Sequence, residues 1–276
     1  PTHLAPRAPP APGVPAASPA TAAVGEDLPQ HARGSGTAAD YGADAAAYWA
    51  SCVTQAGKAD EGGGVWRLSM KQCLPSGSGV RSWCSWAAQS LPRGSRWDTA
   101  DFSCNSLEDA DVEQLVSCML ELGIFPRSVD FHFNQICCRG AGALAKLLLH
   151  AGGTGCCIQE LHLSHNWIGH AGAMAIMEAI AVARLADGSP TYPAFGVCRR
   201  GRPTPLWLRM EKNVLQDVEA FETAAQLALR TKRMEAGFFD HPEGSVMLCK
   251  ASSETSGPRC WKHSCVQGPA HCVPLV

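Results

Sequence analysis

"IQELHLSHNWIGHAGAMAIMEAI", residues 158–180, is the stretch of sequence that decides the fold. Ile158, Leu161 and Leu163 alternate with polar residues, and this pattern predicts a short, half-buried β-strand. An Asn-x-Ile turn at Asn166 follows, and small and apolar residues at helical spacing come after the turn. The stretch therefore predicts one strand–turn–helix unit.

The same unit recurs along the chain. Relative to Asn166, apolar residues stand eight, five and three positions before it and two positions after it. Four other residues have closely similar surroundings, so the chain has five reference residues: Cys73, Asn105, Asn134, Asn166 and Asn213. Their intervals are 32, 29, 32 and 47 residues, and a Pro/Gly-rich insertion at 186–204 accounts for the longest interval. A repeat at this period predicts a repetitive architecture.

The pattern resembles the leucine-rich repeat, L-x-x-L-x-L-x-x-N/C-x-L. The helical runs "GAGALAKLLL" and "HAGAMAIMEAI" are similar to those of the ribonuclease-inhibitor-like subclass, which carries a full helix in each repeat. The resemblance implies an α/β solenoid of about five repeats, with parallel strands on a concave face and helices on a convex face. Helices are expected at about 107–121, 139–150, 170–184 and 217–232.

A second, shorter resemblance lies at "PLWLRMEKN", around Trp207. This string is similar to the W-L-R strand of a group of dinoflagellate leucine-rich repeat proteins, in which a Cys-rich stretch follows. The similarity implies nothing about chemistry.

Composition divides the chain into four segments. Residues 1–40 are rich in Ala, Pro and Gly, which predicts a disordered tail. A capping helix is expected at 41–61, the solenoid at 62–235, and a Cys-rich segment at 236–276. The chain starts at Pro1 and stops abruptly after "CVPLV", so we expect a piece of a longer protein.

Bulk properties narrow the function classes. A net charge of −2 gives no nucleic-acid or membrane footprint. No stretch approaches the roughly 20 apolar residues that span a bilayer. Fourteen cysteines include the vicinal pairs Cys137–Cys138 and Cys156–Cys157, and neighbouring cysteines rarely bond to each other. We therefore expect mostly reduced thiols and a cytoplasmic or nuclear location.

Strand positions that the core does not use would project from the concave face, which is the usual binding surface of such solenoids. These candidate partner-binding residues stand six, four and two positions before the reference residues. They are Arg67, Ser69, Lys71, Asp101, Asp130, His132, Glu160, His162, Trp207, Arg209 and Glu211. Neighbouring strands lie about 4.8 Å apart, so Asp101, Asp130 and His162 are expected to form one polar stripe.

Three interpretations of this face stay open. It forms a partner-recognition strip with a weakly acidic centre and basic ends, or it is a solvated polar face of the kind that every solenoid has. Alternatively, Asp101, Asp130, His132 and His162 form a divalent-metal or acid–base cluster. A flat sheet offers no pocket that excludes water, which argues against catalysis.

The C-terminal segment offers a second candidate metal site. Zinc is possible there because structural zinc sites take four Cys or His ligands. The spacing C-x10-C-x4-C-x6-C fits no common zinc module, so a redox cluster, disulfides or plain loop cysteines are equally open. The candidate ligands are Cys249, Cys260, His263, Cys265, His271 and Cys272.

The sequence predicts a non-enzymatic scaffold that binds a protein partner through its concave face, with no required cofactor. It holds no G-x-x-x-x-G-K-[ST] loop, no G-x-S-x-G elbow and no H-E-x-x-H motif. One alternative is an RNA-associated protein with a C-terminal zinc module, supported by the basic stretches at 198–203 and 229–234. Another follows from the resemblance alone, because ribonuclease-inhibitor-like repeats also occur in activators of small GTPases.

Overall fold

A computed structural model describes residues 43–56, 64–195, 203–239, 244–249 and 272–275. The predicted tail at 1–40 lies outside these residues. The helices are α1 (Ala43–Ser51), α2 (Ser78–Ser90), α3 (Asp109–Leu122), α4 (Cys138–Gly153), α5 (His170–Val182) and α6 (Val218–Glu235). The strands are β1 (Val53–Ala56), β2 (Val65–Ser69), β3 (Trp97–Asp101), β4 (Ser128–Asp130), β5 (Glu160–His162), β6 (Leu206–Arg209), β7 (Val246–Cys249) and β8 (Cys272–Leu275).

The strands form one sheet in chain order, from β1 to β8. The pairs from β2 to β7 are parallel, whereas β1 and β8 pair antiparallel at the two edges. A helix lies between successive parallel strands from β2 to β7, so the predicted α/β architecture with a parallel sheet is confirmed. Sequence analysis did not predict β1, β7 or β8. The sheet thus continues past residue 235, where we placed the end of the repeats.

The core lies between the sheet and the helices. A row of side chains from the parallel strands enters it, and the strand register aligns this row. They are Leu68, Ala100, Val129, Leu161, Leu208 and Leu248, each at most 1% exposed. Leu115, Leu144 and Ile176 come from three successive helices and are buried as well. Burying a side chain of this size stabilises the fold by roughly 2 kcal/mol.

An asparagine follows each of the strands β3 to β6 and joins neighbouring strand–helix units. The Nδ2 of Asn134 donates to the carbonyl of Phe131 in its own unit (2.9 Å) and to that of Phe102 in the preceding unit (3.0 Å). Its Oδ1 accepts from the backbone N–H of Asn105 (3.1 Å) and Leu107 (2.9 Å). Asn105, Asn166 and Asn213 likewise donate to a carbonyl of their own unit and one of the preceding unit, and the Oδ1 of each accepts from one backbone N–H. Each asparagine therefore satisfies backbone groups that the turn would otherwise leave unpaired.

The parallel hydrogen-bond pattern extends beyond the strands themselves. Phe131 N donates to the carbonyl of His162, and Phe133 N donates to that of Ser164. The pattern stops at the residue before each reference residue, where φ becomes positive. These left-handed residues are Gln72, Cys104, Phe133, His165 and Lys212. Because the hydrogen bonds continue to this point, the residues two positions before each reference residue are also held in parallel register with their neighbours.

Gly172, in the first turn of α5, lies where the helix contacts its neighbour closely. A Cβ on Gly172 would lie 2.7 Å from Cys138 Cα, which belongs to the preceding helix. By contrast, a Cβ on Gly142 would meet nothing within 4 Å. Gly172 therefore lets α5 approach α4 closely.

The insertion packs against the units on both sides of it. Tyr192 is fully buried, and its hydroxyl donates to the carbonyl of Ile158 (2.8 Å). The buried Arg233 of α6 donates to the carbonyls of Tyr192 and Phe239, at 2.9 Å each. Despite this long insertion, β5 and β6 stay in register, with Leu161 opposite Leu208.

Candidate functional site

The open face is the sheet face whose side chains alternate with the buried row. The register aligns Asp101, Asp130, His162 and Arg209 across four successive strands. A second aligned row contains Arg67, Thr99, Ser128, Glu160 and Trp207. The spacing in the sequence was sufficient to predict both alignments, because parallel strands that leave equivalent turns start in register.

Three residues of the open face form a hydrogen-bonded Asp–His cluster: Asp130, His132 and His162. His132 Nδ1 lies 2.7 Å from Asp130 Oδ1, and His162 Nδ1 lies 3.1 Å from Asp130 Oδ2. The two imidazole rings stack, with centroids 4.6 Å apart and planes 14° apart. One carboxylate thus holds two histidines from neighbouring units.

Asp130 is the electrostatic centre of the Asp–His cluster. Burial disfavours its charged form, but hydrogen bonds from His132 and His162 outweigh burial and hold the pKa of Asp130 below its usual value. The backbone N–H of His132 also donates to Asp130 Oδ1 (2.9 Å). Asp130 is therefore an ionised acceptor with a fixed orientation.

Each histidine also has a second partner at Nε2. His162 Nε2 lies 2.5 Å from Ser164 Oγ, and His132 Nε2 lies 3.8 Å from Cys104 Sγ. With both Nδ1 atoms facing Asp130, the two rings are held at both nitrogens. The cluster is consequently preorganised by its surroundings.

Arg209 brings a positive charge to the edge of the Asp–His cluster. Its Nη1 lies 3.4 Å from His162 Nδ1, and its Nε donates to Glu211 Oε1 at 3.5 Å. Glu211 is buried, and its Oε2 has no hydrogen-bond partner within the described residues. The open face, which was predicted to be polar, thus includes buried groups that interact with each other as well as exposed groups.

The remaining predicted residues lie around this centre. Asp101 does not join the Asp–His cluster; its Oδ1 accepts from the backbone N–H of Ser103 (2.9 Å). Glu160 accepts a hydrogen bond from Ser128 (3.2 Å), and Trp207 is buried. The N-terminal members of the set are exposed: Arg67, Ser69 and Lys71. Exposed surface is therefore concentrated at the β2 end of the open face.

Of the C-terminal zinc candidates, Cys260, His263, Cys265 and His271 lie outside the described residues. Cys249 is buried in β7, and its Sγ accepts a hydrogen bond from Trp207 Nε1 (2.9 Å). The backbone of Cys272 pairs with that of Cys249 across the antiparallel β7–β8 pair. Two of the six candidates are thus strand neighbours.

An exposed aromatic edge beside the open face was missed by sequence analysis. Phe133 is 45% exposed and stacks on His165 at a centroid distance of 4.0 Å, while Trp167, in the turn of His165, is 59% exposed. Burial and the neighbouring Lys212 lower the pKa of His165. The available signal was a large aromatic residue directly before or after a reference asparagine, where turns usually carry polar residues.

No protein-family model and no curated protein sequence matches this chain. Among the helices of the described residues, none combines the length and apolar composition needed to cross a bilayer.

Proposed function

We propose that the chain is a leucine-rich-repeat solenoid of the ribonuclease-inhibitor-like type that binds a protein partner through its open face, without catalysing a reaction. Support for the repeat comes from the equivalent hydrogen bonds of Asn105, Asn134, Asn166 and Asn213. A solenoid of this kind presents one continuous surface built from equivalent positions of successive repeats.

One observation carries the binding proposal: Asp101, Asp130, His162 and Arg209 align on four successive strands. Several of these side chains are already fixed by hydrogen bonds, so a partner would not have to order them. Such preorganisation lowers the entropic cost of association. A row of mixed charge also favours one partner orientation over others.

The exposed aromatic edge strengthens this proposal. Large aromatic residues supply much of the energy of protein interfaces when they are buried against a partner. Phe133 and Trp167 lie beside the polar row and expose 45% and 59% of their surface. We propose that they anchor the partner while the polar row selects it.

The test places two arginines on the open face without changing the Asp–His cluster. Thr99 and Ser128 are half-buried cross-strand neighbours, so Thr99→Arg/Ser128→Arg would cover the centre of this face. The matched control is Ser85→Arg/Ser117→Arg, which makes the same charge change on exposed positions of α2 and α3. Partners are identified by cross-linking and mass spectrometry, and their affinities are then measured with purified components.

We expect the open-face variant to lose a partner that the helix variant retains, with both variants showing the wild-type circular dichroism spectrum. Cross-links from the retained partner should fall on β2 to β6 or on the aromatic edge. Partners that bind both variants equally, or that cross-link to the helices, would contradict the proposal.

A further inference from the structure

Asp130, His132 and His162 offer one ligand atom each, and these three atoms lie within 4.8 Å of one another. We propose that this Asp–His cluster binds one divalent transition-metal ion of the zinc, cobalt or nickel type. Two imidazole nitrogens and one carboxylate oxygen are the donors that such ions take in proteins. The site is separate from the C-terminal cysteines and does not depend on the protein-binding proposal.

The distances in the Asp–His cluster are close to those of a metal site. Two ligands about 2.1 Å from a tetrahedral ion are separated by about 3.4 Å. The two Nδ1–carboxylate distances are 2.7 Å and 3.1 Å. An ion between the Nδ1 atoms and the carboxylate would thus require these two distances to lengthen by about 0.7 Å and 0.3 Å, which small side-chain rotations can supply.

The atoms that face Nε2 of each histidine also suit a metal, because an ion at Nδ1 would move the ring proton from Nδ1 to Nε2. A histidine that binds an ion through Nδ1 carries its proton on Nε2, and metal-binding histidines almost always donate that proton to a nearby acceptor. His162 Nε2 has Ser164 Oγ at 2.5 Å, and His132 Nε2 has Cys104 Sγ at 3.8 Å. Both outer partners required by the metal-bound tautomer are therefore already present.

The three side chains of the Asp–His cluster are mostly shielded from water, but the site is not closed. The side chains of Asp130, His132 and His162 are 26%, 18% and 10% exposed. Three protein ligands leave at least one coordination position for water or another donor. The ion would consequently remain reachable from the open face.

Arg209 is the group that competes with the ion. Its Nη1 lies 3.4 Å from His162 Nδ1, so its positive charge stands beside the proposed position of the ion. Glu211 Oε2 lacks a hydrogen-bond partner within the described residues and can receive the guanidinium when it moves. Removing the charge at Arg209 should therefore strengthen metal binding, whereas removing a ligand should weaken it.

Co²⁺ is the probe, because its absorption spectrum separates thiolate ligands from nitrogen and oxygen ligands. The purified full chain is titrated with Co²⁺ under reducing conditions, and binding is followed by absorbance and calorimetry. The variants are His132→Gln, His162→Gln and Arg209→Gln. His150→Gln, an exposed histidine on α4, is the matched control, and Cys260→Ser/Cys265→Ser removes C-terminal thiols.

We expect one Co²⁺ without thiolate charge-transfer absorption, bound equally by wild type, His150→Gln and the C-terminal variant. His132→Gln and His162→Gln should each weaken binding by at least about tenfold, and Arg209→Gln should tighten it several-fold. The proposal is wrong if His162→Gln folds and binds like wild type, or if all binding disappears in Cys260→Ser/Cys265→Ser. Should the histidine variants fail to fold, an unchanged affinity in Arg209→Gln would equally overturn it.

Discussion

Replacing Asn134 by alanine should destabilise the protein by about 4 kcal/mol. Asn134 is 5% exposed and makes four hydrogen bonds of 3.1 Å or less to backbone groups. Each such bond contributes about 1 kcal/mol net, and the substitution leaves all four backbone partners without this side chain. Urea unfolding followed by circular dichroism gives the free energy of unfolding of wild type and variant.

Two further variants test whether the loss of stability depends on the donor group and on burial. Asn134→Asp keeps the volume but replaces the N–H donor by a carboxylate that faces two carbonyl oxygens, so it should cost at least as much as alanine at neutral pH. Asn213→Ala removes three bonds at a half-buried position, where water can replace some of them, and should cost about 2 kcal/mol. A loss below about 1 kcal/mol for Asn134→Ala would refute the role assigned to the asparagines.

Four other substitutions test the packing of the fold. Burial raises the pKa of Tyr192, so above pH 10 the unfolded chain binds fewer protons than the folded chain, and stability should fall by about 1.4 kcal/mol per pH unit more in wild type than in Tyr192→Phe. Unfolding curves at pH 9 and pH 11 measure this, and equal slopes would contradict it. Gly172→Ala should cost about 1–3 kcal/mol because its Cβ would meet Cys138, whereas Gly142→Ala, in open space, should stabilise by about 0.5–1 kcal/mol. Arg233→Met should cost about 3 kcal/mol through two lost charge-assisted bonds to carbonyls; a thermal melt unchanged from wild type would exclude this contribution.

The sequence predicted the fold best where the same residue type makes the same hydrogen bonds at equivalent positions. Asn134 and Asn166 could be aligned from spacing alone because each must satisfy the same backbone groups after a strand. In contrast, no asparagine follows β7 in the sequence, so the turn signal that marked the other strands was missing there. The antiparallel strands β1 and β8 do not follow the repeat, and their pairing depends on contacts that local patterns do not encode.

For the candidate site, the sequence predicted which residues meet but not how they interact. Strand register brought Asp130 and His162 together as expected. The sequence could not show that His132 and His162 share one carboxylate, because this depends on side-chain rotamers across two units. It also gave no indication that Glu211 is buried, since its burial is set by neighbours from other strands.

The pairing of β5 with β6 across a 47-residue interval has a practical consequence for engineering. Leu161 stays opposite Leu208, although the interval from Asn166 to Asn213 is about half as long again as the other intervals between reference residues. Ala194 and Thr204 pair with each other, so a sequence inserted between them would leave and rejoin the fold at one place. A guest peptide or reporter domain grafted there should leave the pairing of β5 with β6 unchanged.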